Sequence, residues 1–507
     1  MFVRKKPNKS GSTSIQIIDK TSGKYRIVET IGSSKDKIKI DFFIRKAYQR
    51  ISDIHNQEEM PLLTTNDKTI LSFLRNSTTL KVRVTGPNDV LGKIFDSIGF
   101  NKIDDTLFRL LVITRLVHPV SKLKTLDYLE RYNSIEIDKN QIYRFLDRLN
   151  KNYKEELETI AYFHTAKLLK RKISVVFYDI TTLYFETGDE DDLRKLGFSK
   201  DGKAQNPQIL LGLLIGQGGY PIGYDIFEGN KFEGKTLLPT LAKYEKRFEL
   251  NKPIVIADAG LLSKENIEEL KAKRYQYVLG ARIKNQTKSV KKKILELKLN
   301  DSDNAEIKME EHSRLIISYS SKRAKKDAYN RKRGLTRLEK TLASKKITKK
   351  QINNRGYNKY LKLSGSLAVD IDYEKYNDDA KWDGLKGYLT NSDLEAEEII
   401  KSYRELWQIE KAFRISKTDL KVRPIYHRLQ DRIQAHLSIA FAAYTIYKEL
   451  ERLLSKNSIK LSAKRAIELT ETVYALDVQL PDSRANETIV LNPSKEQKLL
   501  YNMINNL

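Results

Sequence analysis

The sequence predicts an α/β protein whose core is a mixed β-sheet flanked by helices. Three apolar runs, separated by a loop and a glycine-containing turn, predict an antiparallel meander at residues 173–180, 208–216 and 221–227. Helical and strand patterns then alternate over residues 236–280, an order that places helices against the faces of a sheet. A further helix with an apolar stripe begins near residue 395.

The chain is long and strongly basic. Its 507 residues, of which 40% are hydrophobic, can form sizeable cores, and the length indicates about three or four domains. The 93 Lys and Arg against 66 Asp and Glu give a formal net charge of +27, which favours a polyanionic partner such as nucleic acid. An anionic membrane would also attract this charge, but the longest apolar stretch, about 437–447, is far shorter than the roughly 20 residues of a spanning helix. We therefore expect no membrane partner, and the lack of a signal-peptide core predicts a cytoplasmic protein.

The available residue types restrict the kinds of metal site. The chain has no cysteine, which excludes disulfides and thiolate zinc sites. Its six histidines show no paired ligand spacing. Any metal ion bound by this sequence should therefore be a hard cation held by oxygen.

The region before the predicted core has two parts. Residues 1–85 contain strand patterns at 14–18 and 25–29 around a turn signal at 21–24, which predicts a β-containing module. Residues 86–170 have a helical apolar period and predict a helical region.

Two short helices within this helical region suggest a helix-turn-helix. Ser121 and Asp138 can cap segments 122–132 and 139–149 across a tight connection. The second helix would present four side chains to the major groove of DNA: Lys139, Gln141, Arg144 and Arg148. Ordinary packing of two helices is the alternative, and the sequence leaves this choice open.

Two aspartates lie at the ends of apolar strands in the predicted core, Asp179 in the first strand and Asp258 in the fourth. A carboxylate in such a place is costly unless it accepts hydrogen bonds or holds a cation. The two carboxylates can meet only if their strands are neighbours, which is the case in the ribonuclease H-like fold. We therefore predict a ribonuclease H-like core formed by residues 171–281 and 392–460, followed by a C-terminal region at 461–507.

A third carboxylate belongs to the helix predicted from residue 395 to about 416. At about 100 degrees per residue, one direction of this helix collects five side chains: Tyr403, Trp407, Glu410, Arg414 and Lys417. An adjoining apolar stripe would anchor the helix on the sheet: Leu406, Ile409 and Phe413. This helix is therefore predicted to offer one acid to a metal ion and two cations to phosphate.

Three segments carry a resemblance to a known family. They are VVFYDITTLYFE with Asp179, PIVIADAGLLSKENIEEL with Asp258, and YRELWQIEKAFRISKTDLKVRPIYHR with Glu410. Together they resemble the insertion-sequence DDE transposases of the insertion-sequence-4 superfamily. The helix of that family carries a tyrosine, an arginine, the catalytic glutamate and a lysine at fixed offsets. These offsets correspond here to Tyr403, position 406, Glu410 and Lys417.

One position departs from the family pattern, because residue 406 is Leu where the family has Arg. Arg404 is the neighbouring cation that could take over the contact with phosphate, although it lies about 100 degrees around the helix from Tyr403. Arg414 is a further candidate for phosphate contact.

The resemblance implies a metal-dependent DNA transposase. Asp179, Asp258 and Glu410 would be the catalytic residues and the ligands of two Mg²⁺ ions, for which Mn²⁺ can substitute, with Asp179 bridging both ions. The implied reaction is cleavage at terminal inverted repeats, followed by transfer of the freed 3′-hydroxyl ends into target DNA. Joining two ends implies a homodimer, and the bacterial type of protein would associate with the nucleoid when bound to DNA.

An insertion is predicted between the second and third carboxylates. Asp179 and Asp258 are 79 positions apart, whereas Asp258 and Glu410 are 152 positions apart, which is too long for one crossover. We place an inserted subdomain at residues 282–391, where family members likewise carry an insertion. Its strand patterns lie at 305–309, 315–319 and 366–371.

The densest charge of the chain lies in this insertion. Residues 321–362 hold 16 Lys and Arg against Asp327 and Glu339, a net charge of +14. We favour contact with the DNA backbone, and a solvated helical hairpin is the alternative. Trp382 could stack on a flipped base, as the resemblance implies, but packing in the core is the preferred interpretation.

Other functions remain open on the sequence alone. Asp179 or Asp258 taken singly could be a turn or cap residue, and only the joint pattern with Glu410 favours a site. A DNA-binding protein descended from a transposase would keep the charge and the fold without catalysis. A structure-selective nuclease would keep the same fold without strand transfer. His436 lies among apolar neighbours and is interpreted as a core histidine.

Overall fold

A computed structural model of the chain describes residues 1–21, 23–59, 65–76, 80–249, 252–260, 263–309, 312–344, 353, 356–364, 368–480 and 483–507. These residues form two compact units, one of Met1–Lys81 with Asp477–Thr488 and one of Val82–Leu476 with Ile489–Leu507. No helix within the described ranges combines the length and apolarity that a bilayer crossing requires.

The first unit contains the predicted β-structure and two helices. Its antiparallel sheet has the order β1-β2-β3, formed by Phe2–Pro7, Thr13–Asp19 and Arg26–Ser34. The helices are α1, Lys37–Glu59, and α2, Thr65–Asn76. Ala47 of α1 packs against Ile15 and Ile17 of β2, so burial of apolar side chains holds α1 on this sheet. The predicted turn at 21–24 connects β2 and β3, although Ser22 is outside the described residues.

The predicted helical region at the start of the second unit is confirmed. After β4, Lys81–Val84, come α3 to α7: Lys93–Ile98, Thr106–Val117, Lys122–Asn133, Lys139–Arg148 and Lys154–Leu168. Ser121 accepts a hydrogen bond from the backbone N–H of Lys124, and Asp138 accepts one from that of Asn140. Both predicted N-caps are therefore present at the starts of α5 and α6.

The strands of the second unit continue in chain order. They are β5 to β11, Val175–Tyr184, Gln208–Gly216, Pro221–Glu228, Ile254–Ala257, Tyr277–Ala281, Asn304–Lys308 and Arg314–Tyr319, and then β12, Leu361–Ser364, β13, Ala368–Ile371, and β14, Leu385–Thr390. The last strands of the chain are β15, Tyr474–Gln479, and β16, Asn486–Val490.

One eight-stranded mixed sheet forms the core, with the order β10-β11-β14-β9-β8-β5-β6-β7. The predicted meander is confirmed, because β5, β6 and β7 pair antiparallel. β8 pairs in parallel with both β5 and β9. Five neighbouring strands of the sheet, in the order β9-β8-β5-β6-β7, therefore have the predicted ribonuclease H-like arrangement. In this arrangement β5 and β8, the first and fourth strands along the chain, are neighbours.

Helices cover both faces of this sheet. The remaining helices are α8 to α17: Leu237–Phe248, Lys264–Ala272, Lys288–Glu296, Ser321–Ala343, Tyr373–Ala380, Ala396–Arg404, Trp407–Arg414, Gln430–Lys456, Ala463–Thr470 and Lys495–Asn505. Leu238 and Leu241 of α8 pack with Tyr178 on one face. Phe177 belongs to the cluster on the other face, which contains apolar residues of α13, α14 and α15.

The strands predicted for the insertion extend the core sheet. β10, β11 and β14 continue it beyond β9, because β14 pairs antiparallel with both β9 and β11. β12 and β13 form a separate hairpin that packs under α11 through Leu338, Leu361 and Ile371. The first two residues of the predicted strand at 366–371 lie outside the described residues, as does much of 345–355.

The single helix predicted at 395–416 is wrong in one respect, because the structure has two helices there, α13 and α14. The turn between them, at Glu405 and Leu406, is tightened by hydrogen bonds of 3₁₀ type. The N–H groups of Glu405 and Leu406 donate to the carbonyls of Ser402 and Tyr403, each at 3.1 Å. Tyr403 and Glu410 therefore lie on two different helices.

Candidate active site

Asp258 directly follows the last residue of β8, whereas Asp179 lies in the middle of β5, the parallel neighbour of β8. The predicted strand-end position is therefore wrong for Asp179, because β5 stays paired with β6 as far as Tyr184. The last backbone pair between β5 and β8 is Phe177 with Ile256, and each aspartate follows two residues later in its own chain segment. Successive side chains of a strand alternate between faces, so each aspartate shares the face of the residue two positions before it. Phe177 and Ile256 pack in the cluster that contains residues of α13 and α14, so both carboxylates are on the side of those helices.

Backbone amides orient one oxygen of each aspartate. The N–H of Ile180 donates to Asp179 Oδ1 at 2.7 Å, and the N–H of Gly260 donates to Asp258 Oδ1 at 2.7 Å. Asp179 is half-buried and Asp258 is exposed. Burial raises the pKa of Asp179 to about 6, with Asp258 and Glu233 adding smaller upward shifts against the opposing charge of Lys200. The ionised form of Asp179 is therefore more costly than that of an exposed aspartate, and a bound cation would offset this cost.

Tyr403 lies within the electrostatic field of all three predicted catalytic carboxylates. Its side chain is buried on α13, and its hydroxyl lies so close to Gly280 of β9 that a Cβ there would collide with it. Burial raises the pKa of Tyr403, and the charges of Asp258, Glu410 and Asp179 raise it further. All three predicted catalytic carboxylates therefore act on this one hydroxyl, which keeps its proton at neutral pH.

Glu410 lies in the first turn of α14 with an exposed side chain. The apolar stripe predicted beside it is confirmed, because Ile409 and Phe413 are buried in the cluster that includes Phe177. Leu406 belongs to the same stripe, and its side chain is only 9% exposed. Position 406 therefore points into the core, where a guanidinium would lose its hydration.

The predicted phosphate-binding cations have different surroundings. Arg404 and Arg414 are exposed. Lys417 lies in a π-helical turn, Ile415–Asp419, and its Nζ donates to both carboxylate oxygens of Asp201 at 3.2 Å. Arg423 also pairs with Asp201, at 3.1 Å. Contact of these cations with phosphate remains a prediction, and Lys417 would have to share its charge with Asp201.

Two further sets of predicted DNA contacts lie on other elements. On α6, the side chains of Lys139, Gln141 and Arg144 are exposed, and Arg148 pairs with Asp105 at 2.7 Å. The opposite face of α6 is buried as predicted, through Ile142, Phe145 and Leu146. DNA contact by this helix remains a prediction.

Trp382 is partly buried against the apolar cluster that includes Ile283 and Leu385. It also lines a cavity of about 720 Å³ together with Tyr403 and Lys386. Base stacking by Trp382 remains a prediction. The core histidine is in the predicted environment, because buried His436 donates from Nε2 to the Val422 carbonyl at 3.0 Å.

Lys200 and Lys386 near the carboxylates were missed at the level of sequence. Lys200 Nζ donates to the carbonyl of Ile180 at 2.7 Å and pairs with Glu233 at 3.1 Å. Lys386 Nζ lies 4.4 Å from the centre of the Tyr403 ring. Lys386 and Tyr388 are two positions apart and share one face of β14, but the sequence gives no sign that β14 joins the core sheet beside β9.

The donor set fits a hard divalent cation. Among the described residues, no group of three or more His, Cys, Asp or Glu side chains is close enough to hold a metal ion. Asp179, Asp258 and Glu410 offer only carboxylate oxygen, which is the donor that Mg²⁺ and Mn²⁺ prefer. Burial raises the pKa of the Asp179 carboxyl, so a cation bound beside it would stabilise the ionised form.

Comparisons with known proteins place the core in a family. Residues 170–446, more than half of the chain, match the family model described as Transposase DDE domain. A cryo-EM structure of a piggyBac transposase synaptic complex with hairpin DNA is similar at 10% identity and a TM-score of 0.38, over 76% of this chain and 76% of that chain. A Mos1 transposase paired-end complex with the left transposon end is similar at 12% identity and a TM-score of 0.16, over 46% of this chain and 71% of that chain. No curated protein matches the sequence.

Proposed function

Because the chain belongs to the family of transposases with a DDE domain, we propose that it cleaves DNA at terminal inverted repeats and transfers the freed 3′-ends into target DNA. One observation supports this reaction most directly. Asp179 and Asp258 occupy matching positions on parallel strands, on the face of the sheet that carries the helices of Tyr403 and Glu410. The charges of all three carboxylates act on the Tyr403 hydroxyl.

Asp179, Asp258 and Glu410 would hold the two divalent cations of such a reaction. When bound, these cations supply Lewis-acid stabilisation of the attacking and leaving oxygens of a phosphodiester. The backbone N–H groups of Ile180 and Gly260 fix one oxygen of each aspartate, which leaves the other oxygen to a ligand. Asp179 would contribute most to cation binding, because its charge is half-buried and a bound cation would stabilise it more than an exposed charge.

Tyr403 would orient the scissile strand. Its raised pKa keeps the hydroxyl protonated, so that it can donate a hydrogen bond to a phosphate oxygen. Arg404, Arg414 and Lys417 would neutralise neighbouring phosphates, and the basic helix α11 and the outer face of α6 would hold DNA further away. Two copies of the chain would act together as a homodimer, because two transposon ends have to be joined.

The test uses DNA that carries the candidate inverted repeats flanking the gene. Purified protein is incubated with a labelled end fragment and a target plasmid, with Mg²⁺ or with EDTA. We expect Mg²⁺-dependent cleavage and joined products from the wild type, and neither from Asp179→Asn. Cleavage without joining would indicate a nuclease, and DNA binding without cleavage would indicate a DNA-binding protein of transposase descent.

A further inference from the structure

Lys386 is held against the aromatic side chains of the candidate site. It lies on β14, and its Nζ is 4.4 Å from the ring centre of Tyr403 and 5.3 Å from that of Tyr388. The two rings meet edge to face with centres 5.0 Å apart. A cation above aromatic rings is attracted to them without being neutralised. Lys386 is therefore positioned while its charge stays available.

Lys386 has no acidic side chain bonded to it among the described residues. In the part of the chain that the structure describes, Lys386 forms no ion pair and no side-chain hydrogen bond. Burial lowers its pKa, the charges of Arg323 and Arg404 lower it further, and Glu410 acts in the opposite direction. Lys386 therefore lies half-buried beside two other cations, and the carboxylate that acts on it, Glu410, is not bonded to it. An anion that binds beside Lys386 would be stabilised by its charge.

The space for that anion is the cavity of about 720 Å³ beside Tyr403. Lys386 and Ala259 both line it, and Ala259 directly follows Asp258. The acidic side chains of the cavity are already paired with other cations. The pairs are Asp379 with Lys284 at 2.8 Å and with Lys359, Asp327 with Arg323 at 3.5 Å, and Asp383 with Arg331. Lys386 is thus the cation of this cavity that lies nearest to the Tyr403 ring without an acidic partner among the described residues.

We propose that Lys386 binds a phosphodiester group of the DNA strand that reaches Asp258 and Glu410, and so orients that strand beside Tyr403. This inference rests on the proposed function for the identity of the anion as DNA. An ammonium group donates up to three hydrogen bonds to phosphate oxygens, and the partial burial of Lys386 strengthens each of them. Leu406, where the resembled family has an arginine, is buried and supplies no charge, so Lys386 of β14 would provide a cation beside Tyr403.

The test compares Lys386→Gln, Lys386→Arg and a matched control, Lys246→Gln. Lys246 is exposed on α8, which covers the opposite face of the sheet. Binding of a duplex oligonucleotide carrying the candidate repeat is measured in EDTA over a series of salt concentrations, and cleavage is measured with Mg²⁺. Each phosphate contact contributes about 0.9 to the slope of log K against log salt.

We expect Lys386→Gln to lower this slope by about 0.9 and the cleavage rate by about 10-fold or more. Lys386→Arg should stay within about threefold of the wild type in both measurements, and Lys246→Gln should leave the cleavage rate unchanged. An unchanged slope in Lys386→Gln overturns the inference, and it does so equally if the melting temperature falls, because the lysine then acts through packing alone. If Lys386→Gln does not fold, Lys386→Met keeps the apolar stem over Tyr403 and takes its place.

The two failures can be told apart. If the wild type does not cleave but Lys386→Gln still loses slope, the transposase reaction fails and the phosphate site stands. If the wild type cleaves and Lys386→Gln cleaves equally well with an unchanged slope, the reaction stands and Lys386 is not a phosphate contact.

Discussion

Asp179 and Asp258 stand at matching positions of two parallel neighbours, each two residues beyond the last backbone pair of β5 and β8. This relationship puts two negative charges on one face of the sheet with one of them half-buried. Burial raises the pKa of Asp179 to about 6.

Replacing Asp179 should stabilise the metal-free protein while abolishing cleavage. A pKa raised from 3.8 to about 6 in the folded state means that protonated Asp179 favours folding, and that this contribution is lost as the pH rises through about 6. At neutral pH, Asp179→Asn should therefore raise the free energy of unfolding by about 1–3 kcal/mol. Thermal unfolding in EDTA at pH 7.5 and pH 4.5 measures this, and the difference from wild type should shrink at the lower pH.

The control for this prediction is Asp192→Asn, because Asp192 is an exposed acid in a loop. Equal melting temperatures of Asp179→Asn and wild type at pH 7.5 would contradict the assignment.

Mg²⁺ should stabilise the wild type through the three carboxylates. A ligand that binds only the folded state, at about 100 times its Kd, adds about 2.7 kcal/mol to the stability. We expect a rise in melting temperature with Mg²⁺ or Mn²⁺ that is lost in Asp258→Asn and in Glu410→Gln. The readout is independent of DNA cleavage. A shift that persists in both variants would place the bound cation elsewhere.

The outer face of α6 should contribute charge to DNA binding. Lys139 and Arg144 are exposed there, whereas Arg148 is partly committed to Asp105. The double variant Lys139→Ala/Arg144→Ala should lower the slope of log K against log salt by about 1.8 if each side chain contacts one phosphate. Lys167→Ala, at an exposed position of α7, is the matched control. The helix-turn-helix interpretation fails if the double variant and the control bind alike.

Restoring an arginine at position 406 should damage the protein. Leu406 is 9% exposed and packs in the main core, so Leu406→Arg would bury a guanidinium without a partner. We expect a loss of about 2–4 kcal/mol in the free energy of unfolding and no gain in cleavage. Leu406→Met preserves the volume and should cost less than about 1.5 kcal/mol. Chemical denaturation of both variants measures the difference, and a stable, more active Leu406→Arg would show that the side chain can reach phosphate.

Acid should weaken the fold partly through His427. Burial lowers the pKa of His427 to about 4, with Lys122 and Arg115 adding to the shift and Asp147 opposing it. Its neutral form therefore stabilises the folded state above the unfolded pKa of about 6.5, and this contribution is lost as the pH falls toward 4. In His427→Gln, the free energy of unfolding should fall less between pH 7 and pH 5 than in the wild type. An unchanged pH dependence would show that His427 is hydrated in solution.

The sequence predicted those parts of the fold that depend on local patterns. The apolar runs gave β5 to β9 with ends displaced by a few residues, because strand ends depend on pairing and not on the run itself. Ser121 and Asp138 were identified as caps because an N-cap requires only nearby backbone groups. The pairing of β5 with β8 was predicted because Asp179 and Asp258 can meet only if their strands are neighbours, although only Asp258 lies at a strand end in the structure.

What remained hidden depends on contacts between distant segments. The 3₁₀ turn at Glu405 and Leu406 has no glycine or proline to announce it, so an unbroken helix was the natural prediction. Lys386 looked like any lysine of a basic insertion, and only the pairing of β14 with β9 brings it to Tyr403. Only the three carboxylates could be named as candidate site residues from their residue type and position in the sequence.

The pairing of β14 between β9 and β11 has a mechanical consequence. Six residue pairs join β14 to β11 and four join it to β9, so the ladder of hydrogen bonds is continuous from the start of α11 to the strand beside Asp258. α11 follows directly after β11, so the strand that leads into α11 is fixed to the strand that carries Lys386. If DNA binds α11 as predicted, a displacement of β11 would be transmitted through β14 and β9 to Lys386 and to β8, which leads into Asp258.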